Sequence, residues 1–425
     1  FNSHATVYLN IHQPTNVTVN FALPTFVPLT DGQLASTQTE RVREELKSAL
    51  ETTGCFNFLN PQSFIQEITP QTVEQGAIRF NDWKAINAQY LLTTGYSAKG
   101  VSVHVEARLF HIPSAQRVMG KEYTSPIGET RQLALTMGND IIEALTGEKG
   151  IFFSKIAFIA NVTGHKELYV MDFDGKNVQQ VTRNRSISLS PSWSPNAKEL
   201  LYTLYRIHSN NQVNPDLVRF DIKSRRTIPV WEKRGLNTGG AWSPKREEII
   251  ITHSPPGGDT DLYLVTPQGK LINRLTNESS IDVEPSWSPD GNQIAWVSSR
   301  RGNPMVFIMN RDGTDIKRLT YAGQYNSSPV WSPDGKQIAF ASQSGDTFDI
   351  FLMDSNGQNL RRLTKSSGRS NEHPSFSPDG RHIVFHSSGS KRSDIYVVNL
   401  DGTVERCLTC QYTLGKAISP TWSSN

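Results

Sequence analysis

The pentapeptide Trp287-Ser288-Pro289-Asp290-Gly291 decides the fold, because related versions of it recur along the second two-thirds of the chain. Each version is an aromatic residue followed by Ser-Pro, and in three copies Asp-Gly comes next. The other copies are Trp193-Ser194-Pro195, Trp242-Ser243-Pro244, Trp331-Ser332-Pro333-Asp334-Gly335, Phe376-Ser377-Pro378-Asp379-Gly380 and a truncated Trp422-Ser423. Successive aromatic residues are 49, 45, 44, 45 and 46 residues apart. That period is typical of β-propeller blades with four strands each.

Within each repeat, the order of signals fits four antiparallel strands. An apolar stretch follows the Ser-Pro turn, as at residues 294–297, and a second one follows a polar loop, as at residues 349–352. A pair such as Asp312-Gly313 supplies the positive φ that a tight hairpin needs. A short, charged outer strand then ends in Leu-Thr, as at Leu319-Thr320, and its charges suit an exposed sheet edge.

The two ends of the repeat region complete each other. The first repeat, from residue 155, has no aromatic-Ser-Pro strand before it, whereas Pro420-Thr421-Trp422-Ser423 has no further strands of its repeat after it. We therefore predict that the C-terminal strand completes the first blade and closes the ring. The prediction for residues 155–425 is a six-bladed β-propeller, preceded by a linker at residues 148–154.

Residues 1–147 mix helix and strand signals and predict a small α/β domain. Val7, Leu9 and Ile11 alternate with polar residues, as in a half-buried strand. A helix is expected from about Ser36 to Thr53 and another over residues 129–145, each followed by a glycine. Further strands are expected near residues 17–21, 90–94, 101–110 and 117–123.

Charge and hydropathy exclude several function classes. The chain has 425 residues with a formal net charge of +3, and it carries no long basic block, so nucleic-acid binding is not expected. No apolar run reaches the ~20 residues that span a bilayer. The chain begins at Phe1 without a basic and apolar leader, which is compatible with a leader removed earlier.

Cysteine usage leaves two interpretations open. The chain has three cysteines, Cys55, Cys407 and Cys410. The last two follow a predicted strand end, whereas a redox Cys-x-x-Cys pair opens a helix. A local disulfide or two unreacted thiols are therefore both possible interpretations. A zinc site would need a second ligand pair, and none has suitable spacing.

Several motifs together resemble the TolB family, the periplasmic propeller component of the Tol–Pal envelope system. The motifs are Thr53-Gly54-Cys55-Phe56-Asn57, Leu145-Thr146-Gly147-Glu148-Lys149-Gly150, Lys155-Ile156-Ala157-Phe158 and Ser419-Pro420-Thr421-Trp422-Ser423. The resemblance covers nearly the whole chain. The repeated Trp-Ser-Pro-Asp-Gly alone is less specific, because dipeptidyl-peptidase-type propellers share it.

The resemblance implies a periplasmic protein-binding scaffold, monomeric on its own. It would bind the peptidoglycan-associated lipoprotein through the propeller face. Inner-membrane Tol proteins would contact the N-terminal segment that contains Val7, Leu9 and Ile11. The system supports outer-membrane integrity and cell division, and colicins exploit it. No cofactor and no metal are implied.

The candidate partner-binding residues precede the aromatic-Ser-Pro strands, because the innermost strand of each blade lines the central channel. They are Asn237, Thr238, Asp282, Glu284, Asn326, Ser328, Asn371, Glu372 and His373. Such a polar set suits directional hydrogen bonds to a partner loop, although it could also only solvate the rim. Glu284 best matches a partner-contacting position of the family, whereas Leu236 stands where the family often has histidine.

An enzyme is the alternative class. A propeller peptidase would need a hydrolase domain with Gly-x-Ser-x-Gly, and the chain has none. A lyase or glycosidase acting on a cell-envelope polymer would need clustered acids or a metal set, for which Asp282, Glu284 and Glu372 are the available acids. His382 and His386 share one face of a strand, but four residues separate them by about 13 Å, too far for one ion. The prediction is therefore a binding protein and not an enzyme.

Overall fold

The computed structural model describes residues 18–30, 33–209, 211–365, 368–403 and 405–424. These residues divide into two compact units, one that ends at Phe153 and one that starts at Ser154. The predicted strand at Val7, Leu9 and Ile11 lies outside the described residues. No helix within the described ranges is both long and apolar enough to cross a membrane.

The first unit is an α/β domain. Its strands are β1 (Val19–Ala22), β2 (Val27–Pro28), β3 (Phe56–Phe58), β4 (Tyr90–Lys99), β5 (Ser102–His111) and β6 (Gln116–Pro126). Its helices are α1 (Gln33–Glu51), α2 (Pro70–Gln75), α3 (Phe80–Ala85) and α4 (Thr130–Thr146), with a 3-10 turn at Pro61–Ser63. The sheet order is β3-β1-β4-β5-β6, and β2 also pairs with β4. β1 runs parallel to β3 and β4, whereas β4, β5 and β6 form an antiparallel meander.

Apolar periodicity explains how the helices of this unit pack. Val42, Leu46 and Leu50 lie on one face of α1 and are fully buried. That face meets α4, whose buried side chains include Met137 and Ile141. Burying each such side chain contributes about 1.5–3 kcal/mol, which stabilises the packing of the two helices against each other.

The second unit consists of four-stranded antiparallel blades. Blade 1 holds β7 (Lys155–Ala160), β8 (Glu167–Asp172), β9 (Gln179–Gln180) and β30 (Ile418–Trp422). Blade 2 holds β10 (Ser188–Trp193), β11 (Glu199–Ile207), β12 (Val213–Asp221) and β13 (Arg226–Trp231). Blade 3 holds β14 (Leu236–Trp242), β15 (Ile249–Ser254), β16 (Asp261–Val265) and β17 (Leu271–Arg274). Blade 4 holds β18 (Asp282–Trp287), β19 (Gln293–Ser298), β20 (Met305–Asn310) and β21 (Lys317–Arg318). Blade 5 holds β22 (Asn326–Trp331), β23 (Gln337–Ser344), β24 (Thr347–Asp354) and β25 (Arg361–Arg362). Blade 6 holds β26 (Ser370–Phe376), β27 (His382–Ser388), β28 (Ser393–Asn399) and β29 (Glu405–Cys407). Over the described part of the chain, the predicted six-bladed β-propeller is confirmed.

The ring closes as predicted, because β30 pairs antiparallel with β7. Ile418 lies opposite Ile159, and Trp422 lies opposite Ile156. The backbone N–H of Ser423 donates to the Lys155 carbonyl at 2.8 Å. The indole of Trp422 donates to Ser154 Oγ at 2.8 Å. One blade therefore contains both ends of the propeller.

The repeated aromatic residues connect neighbouring blades. The indole Nε1 of Trp287 donates to the Ala241 carbonyl of the preceding inner strand at 3.2 Å. Trp193 donates in the same way to the Thr421 carbonyl at 3.2 Å, across the closure point. These side chains act as core wedges, which is why each repeat has an aromatic residue at this position.

The threonine at the end of the repeat takes part in a set of buried hydrogen bonds in several blades. In blade 5, Thr364 Oγ1 accepts from the Ile350 N–H at 3.0 Å and donates to Asp349 Oδ1 at 2.9 Å. The Arg362 guanidinium pairs with the same carboxylate. Equivalent contacts join Thr182 to Glu167, Thr276 to Asp261 and Thr409 to Asp394. Satisfied buried charges of this kind fix the register of the third and fourth strands.

A disulfide joins Cys407 and Cys410 at the end of β29. Of the two interpretations of this pair, the structure shows the local disulfide. It closes a turn of the outer strand in blade 6.

Deleting residues 420–425 should destabilise the whole propeller. The deletion removes most of β30, so β7 becomes an unpaired edge and the packing between the first and last blades is lost. We expect a fall in melting temperature of roughly 10 °C or more, measured by circular dichroism or calorimetry. A truncated protein that melts with the full chain would contradict closure by this strand.

Candidate functional site

The inner strands of all the described blades line an open central cavity of about 350 Å³. The lining includes a short segment from each strand, in which serine, threonine or glycine stands beside proline or tryptophan. These segments are Ser190–Ser192, Gly239–Trp242, Glu284–Trp287, Ser328–Ser332, His373–Ser375 and Ser419–Thr421. The cavity is thus built from the residues that surround each repeated aromatic.

One residue of each inner strand has a left-handed backbone. These residues are Ser190 (φ 50°), Gly239 (φ 59°), Glu284 (φ 54°), Ser328 (φ 51°), His373 (φ 54°) and Ser419 (φ 51°), and we refer to them as the channel ring. At each of them the pairing with the second strand shifts register, as in a β-bulge. Bulges re-aim side chains and are frequent beside functional sites.

The amino-acid sequence explains where the bulges occur. All members of the channel ring except Gly239 precede a proline. Proline has no N–H to give to a sheet ladder, so a strand tolerates it where the ladder is interrupted. Left-handed backbone at a residue other than glycine costs of order 1–3 kcal/mol. The propeller keeps this strain at the cavity, at Glu284 and His373 as well as at three serines.

Four of the predicted site residues do not face the cavity. Asn237, Asp282, Asn326 and Asn371 are all 0% exposed. They stand at or next to the first position of an inner strand, and the strand pleat turns them into the blade rather than toward a partner. These four side chains are therefore not accessible from the cavity in this structure.

The hydrogen bonds of these four residues lie within the protein. Asn237 Nδ2 donates to the Pro215 carbonyl at 2.9 Å. The Asp282 carboxylate accepts from the indole of Trp296 at 3.2 Å and from Arg300 at 2.9 Å. Asn326 donates to the Ala322 carbonyl at 3.0 Å, and Asn371 donates to the Asp349 carboxylate at 3.2 Å. They hold loops and neighbouring strands in register.

The other five predicted residues are partly exposed, namely Thr238, Glu284, Ser328, Glu372 and His373. Glu284 and Ser328 interact directly across two blades. The Ser328 N–H donates to Glu284 Oε2 at 2.6 Å. This charge-assisted bond holds the carboxylate in one orientation. Thr238 has a different role, because its hydroxyl accepts from Thr203 Oγ1 at 3.0 Å.

The carboxylate of Glu284 affects that of Glu372 on this side of the cavity. Burial raises the pKa of Glu372, the nearby Glu284 raises it further, and His373 opposes the rise. Burial also raises the pKa of Tyr325, with smaller contributions from Glu284 and Glu372. The surface between blades 4, 5 and 6 is therefore acidic and suits a cation or a hydrogen-bond donor.

His386, which the sequence analysis compared only with His382, lies beside two of the predicted site residues. It lies directly opposite Glu372 in the pairing of β26 and β27, and its ring centroid is 5.2 Å from that of His373. Burial, with a smaller effect of His373, lowers the pKa of His386 to about 3. The signal was present in the sequence, because the hairpin turn at Asp379-Gly380 lies midway between residues 372 and 386.

The strain in the channel ring can be measured at Ser190. We expect Ser190→Val to destabilise the protein by about 1–2 kcal/mol, because a β-branched residue fits left-handed backbone poorly. Ser190→Gly should be close to neutral, because glycine relieves the left-handed strain but loses more backbone entropy on folding. Urea unfolding of both variants measures the difference, and equal stabilities would argue against strain at this position.

Two family models match the chain. The model described as the TolB beta propeller domain covers residues 142–425, and the TolB amino-terminal domain covers residues 7–118. The Tol-Pal system protein TolB of Desulfosudis oleivorans is 35% identical over 63% of this chain and 60% of its own length. The Protein TolB homolog of Chlorobium luteolum is 34% identical over 67% of this chain and 63% of its own length. The aligned part thus spans about three fifths of the length of these curated relatives.

A solved structure has the same fold. The crystal structure of TolB from Acinetobacter baumannii superposes with a TM-score of 0.80 at 24% identity, over 96% of this chain and 97% of that chain. The likeness covers the N-terminal α/β unit as well as the propeller.

Proposed function

The chain belongs to the TolB family of the Tol–Pal system, and from this we propose that it is a periplasmic scaffold that binds other envelope proteins. The propeller cavity would receive part of the peptidoglycan-associated lipoprotein. The N-terminal region would contact inner-membrane Tol proteins. In this role the protein supports outer-membrane integrity and cell division.

The observation that carries the proposal is the fixed carboxylate of Glu284. Its hydrogen bond from the Ser328 N–H and its place in the channel ring hold it before any partner arrives. A pre-oriented group loses little conformational freedom on binding, so more of its interaction energy appears as affinity. Glu284 is also the residue that best matches a partner-contacting position of the family.

The size of the cavity indicates how a partner would bind. A volume of about 350 Å³ accommodates a few side chains, whereas a stable protein interface buries roughly 800 Å² on each partner. The partner would therefore insert a short loop into the cavity and rest on the surrounding surface. The acidic side formed by Glu284 and Glu372 favours backbone N–H groups, hydroxyls or a basic side chain in that loop.

Aromatic surface next to the cavity supports the same proposal. Tyr325 is 39% exposed, packs edge-on against Phe348 with ring centroids 5.7 Å apart, and lies in the field of both carboxylates. Tyrosine is enriched in protein interfaces because it offers a large rigid surface and a hydroxyl. We assign Tyr325 to the rim that the partner would cover.

For the alternative function, a lyase or glycosidase, one of the three candidate catalytic acids is not accessible. Asp282 is fully buried, and Arg300 and Trp296 satisfy its carboxylate. Glu284 is engaged by Ser328. An acid pair for catalysis would have to come from Glu284 and Glu372 alone, and no further observation favours this use of them.

Glu284→Ala should weaken binding of the soluble domain of a peptidoglycan-associated lipoprotein. Loss of a pre-oriented charged contact at an interface centre corresponds to on the order of 2 kcal/mol, or about thirtyfold in Kd. Titration calorimetry measures the change. Glu284→Gln keeps an acceptor for the Ser328 N–H and separates the charge from the hydrogen bond.

Glu247→Ala is the matched control, because Glu247 is an exposed carboxylate on the turn between β14 and β15 that does not line the cavity. The affinity of the Glu247→Ala variant for the lipoprotein domain should equal that of the unchanged chain. Two results would show that the partner binds outside the cavity. One is an equal loss of affinity for Glu247→Ala and Glu284→Ala, and the other is no loss for Glu284→Ala with a native melting curve.

Removing residues 1–12 should weaken binding to an inner-membrane Tol protein at least about tenfold, because the segment with Val7, Leu9 and Ile11 is the proposed contact. The same truncation should leave the melting temperature of the propeller within about 2 °C of that of the full chain. Pull-down and calorimetry against the periplasmic domain of such a protein test this. An unchanged affinity would assign the segment a purely structural role.

A further inference from the structure

Three side chains of blade 6 form a cluster, and two of them, Glu372 and His373, are also predicted partner contacts. One ligand atom each of Glu372, His373 and His386 lies within 4.8 Å of the others. Glu372 and His373 belong to the inner strand β26, and His386 belongs to the neighbouring strand β27. Two imidazoles and one carboxylate are the donor set that zinc-class cations prefer in proteins.

The bulge is what makes this cluster possible. Consecutive residues of a regular strand point to opposite faces of the sheet, so Glu372 and His373 would ordinarily be separated. His373 has φ 54°, and the register shifts between Glu372 and Ser375. The left-handed residue brings the His373 ring against the ring of His386 instead, with centroids 5.2 Å apart.

His386 is not explained by packing. Only 5% of the residue is exposed, and no described residue forms a hydrogen bond with its Nδ1. The equivalent positions of the other blades hold Ile159, Thr203, Thr252, Val297 and Ala341, so a blade at this point needs only an apolar side chain or a threonine. An unpaired buried nitrogen costs about 1–3 kcal/mol, which makes a histidine here unfavourable unless something binds it.

His373 repeats the same pattern. No described residue forms a hydrogen bond with its Nδ1 either, and serine occupies the equivalent place in blades 1, 2 and 5. Blade 6 therefore has two histidines, side by side, at positions where none of the other described blades has a histidine. Both have a ring nitrogen available to a ligand.

We propose that Glu372, His373 and His386 bind one first-row transition cation of the zinc class. A tetrahedral zinc ion holds its ligand atoms roughly 3.4 Å apart, so small side-chain rotations from the present separations complete the site. The cation would also offset the repulsion between Glu372 and Glu284. Three protein ligands leave one coordination position open, and because His373 lines the central cavity, water or a donor atom of a bound molecule can occupy that position.

Metal titration of the untagged, chelator-treated full chain tests the proposal. We expect one Zn²⁺ per chain with a Kd of about 10 µM or tighter, measured by calorimetry, and a rise in melting temperature on adding Zn²⁺. Co²⁺ should give visible absorption bands of a low-coordinate site with nitrogen ligands. Mg²⁺, which prefers oxygen ligands, should not compete.

Two variants replace one of the histidines by the residue that another blade has at the equivalent position. His386→Val takes the residue found at position 297, and His373→Ser takes the residue found at position 328. Each should weaken Zn²⁺ binding at least about tenfold and abolish the Co²⁺ bands. His165→Ala, at an exposed histidine of blade 1, is the control and should bind like the unchanged chain.

The Zn²⁺ affinities of the full chain and of the two variants decide between a metal site and none. A full chain that binds Zn²⁺ no tighter than about 1 mM overturns the proposal, as does a His373→Ser variant with unchanged Kd. If His386→Val fails to fold, His373→Ser alone decides, because serine already occupies that left-handed position elsewhere in the ring. Loss of Zn²⁺ binding in both variants with the melting curve of the metal-free chain supports the site.

Discussion

The pairing of β30 with β7 is the constraint on which the propeller depends. Blades contact mainly their neighbours, so an open row of blades would leave an unpaired edge and an uncovered apolar face at its two ends. The strand from Ile418 to Trp422 removes both at once, since it hydrogen-bonds to β7 and packs beside blade 6. It also contributes Ser419 and Thr421 to the cavity wall, so the same strand closes the fold and completes the site.

The bulges of the inner strands convert that scaffold into a site. A regular inner strand would alternate its side chains between cavity and blade, whereas the left-handed residue and the following proline interrupt the alternation. Glu284 is thereby set against the Ser328 N–H, and His373 is set against His386. The strain is tolerated because wedges such as Trp287 and buried anchors such as Asp282 fix the strand on either side of each bulge. Rigid surroundings of this kind are what pre-organise a binding group.

The sequence predicted the propeller well because its signals are local and repeated. Turn pairs such as Asp312-Gly313 and the spacing of the aromatic residues each depend on a few neighbours in the chain, and they agree from one repeat to the next. The short helices α2 and α3 were not predicted, because six residues are too few to show a clear apolar period. The parallel pairing of β1 with β3 and β4 depends on contacts that no local pattern contains.

The site was predicted less completely, for a physical reason. Asn237, Asp282, Asn326 and Asn371 are polar and precede the inner-strand motif, so they resemble rim residues, but the strand pleat places them inside the blade. Only their partners, such as Arg300 for Asp282, reveal that role. His386 was compared with His382 along one strand, whereas its neighbours are across the hairpin.

The closing strand has a consequence for biosynthesis. Lys155 and Ser423 are 268 residues apart, and at roughly 5–20 residues per second β7 waits on the order of tens of seconds for its partner strand. During that interval the first blade offers a bare edge to any other extended polypeptide.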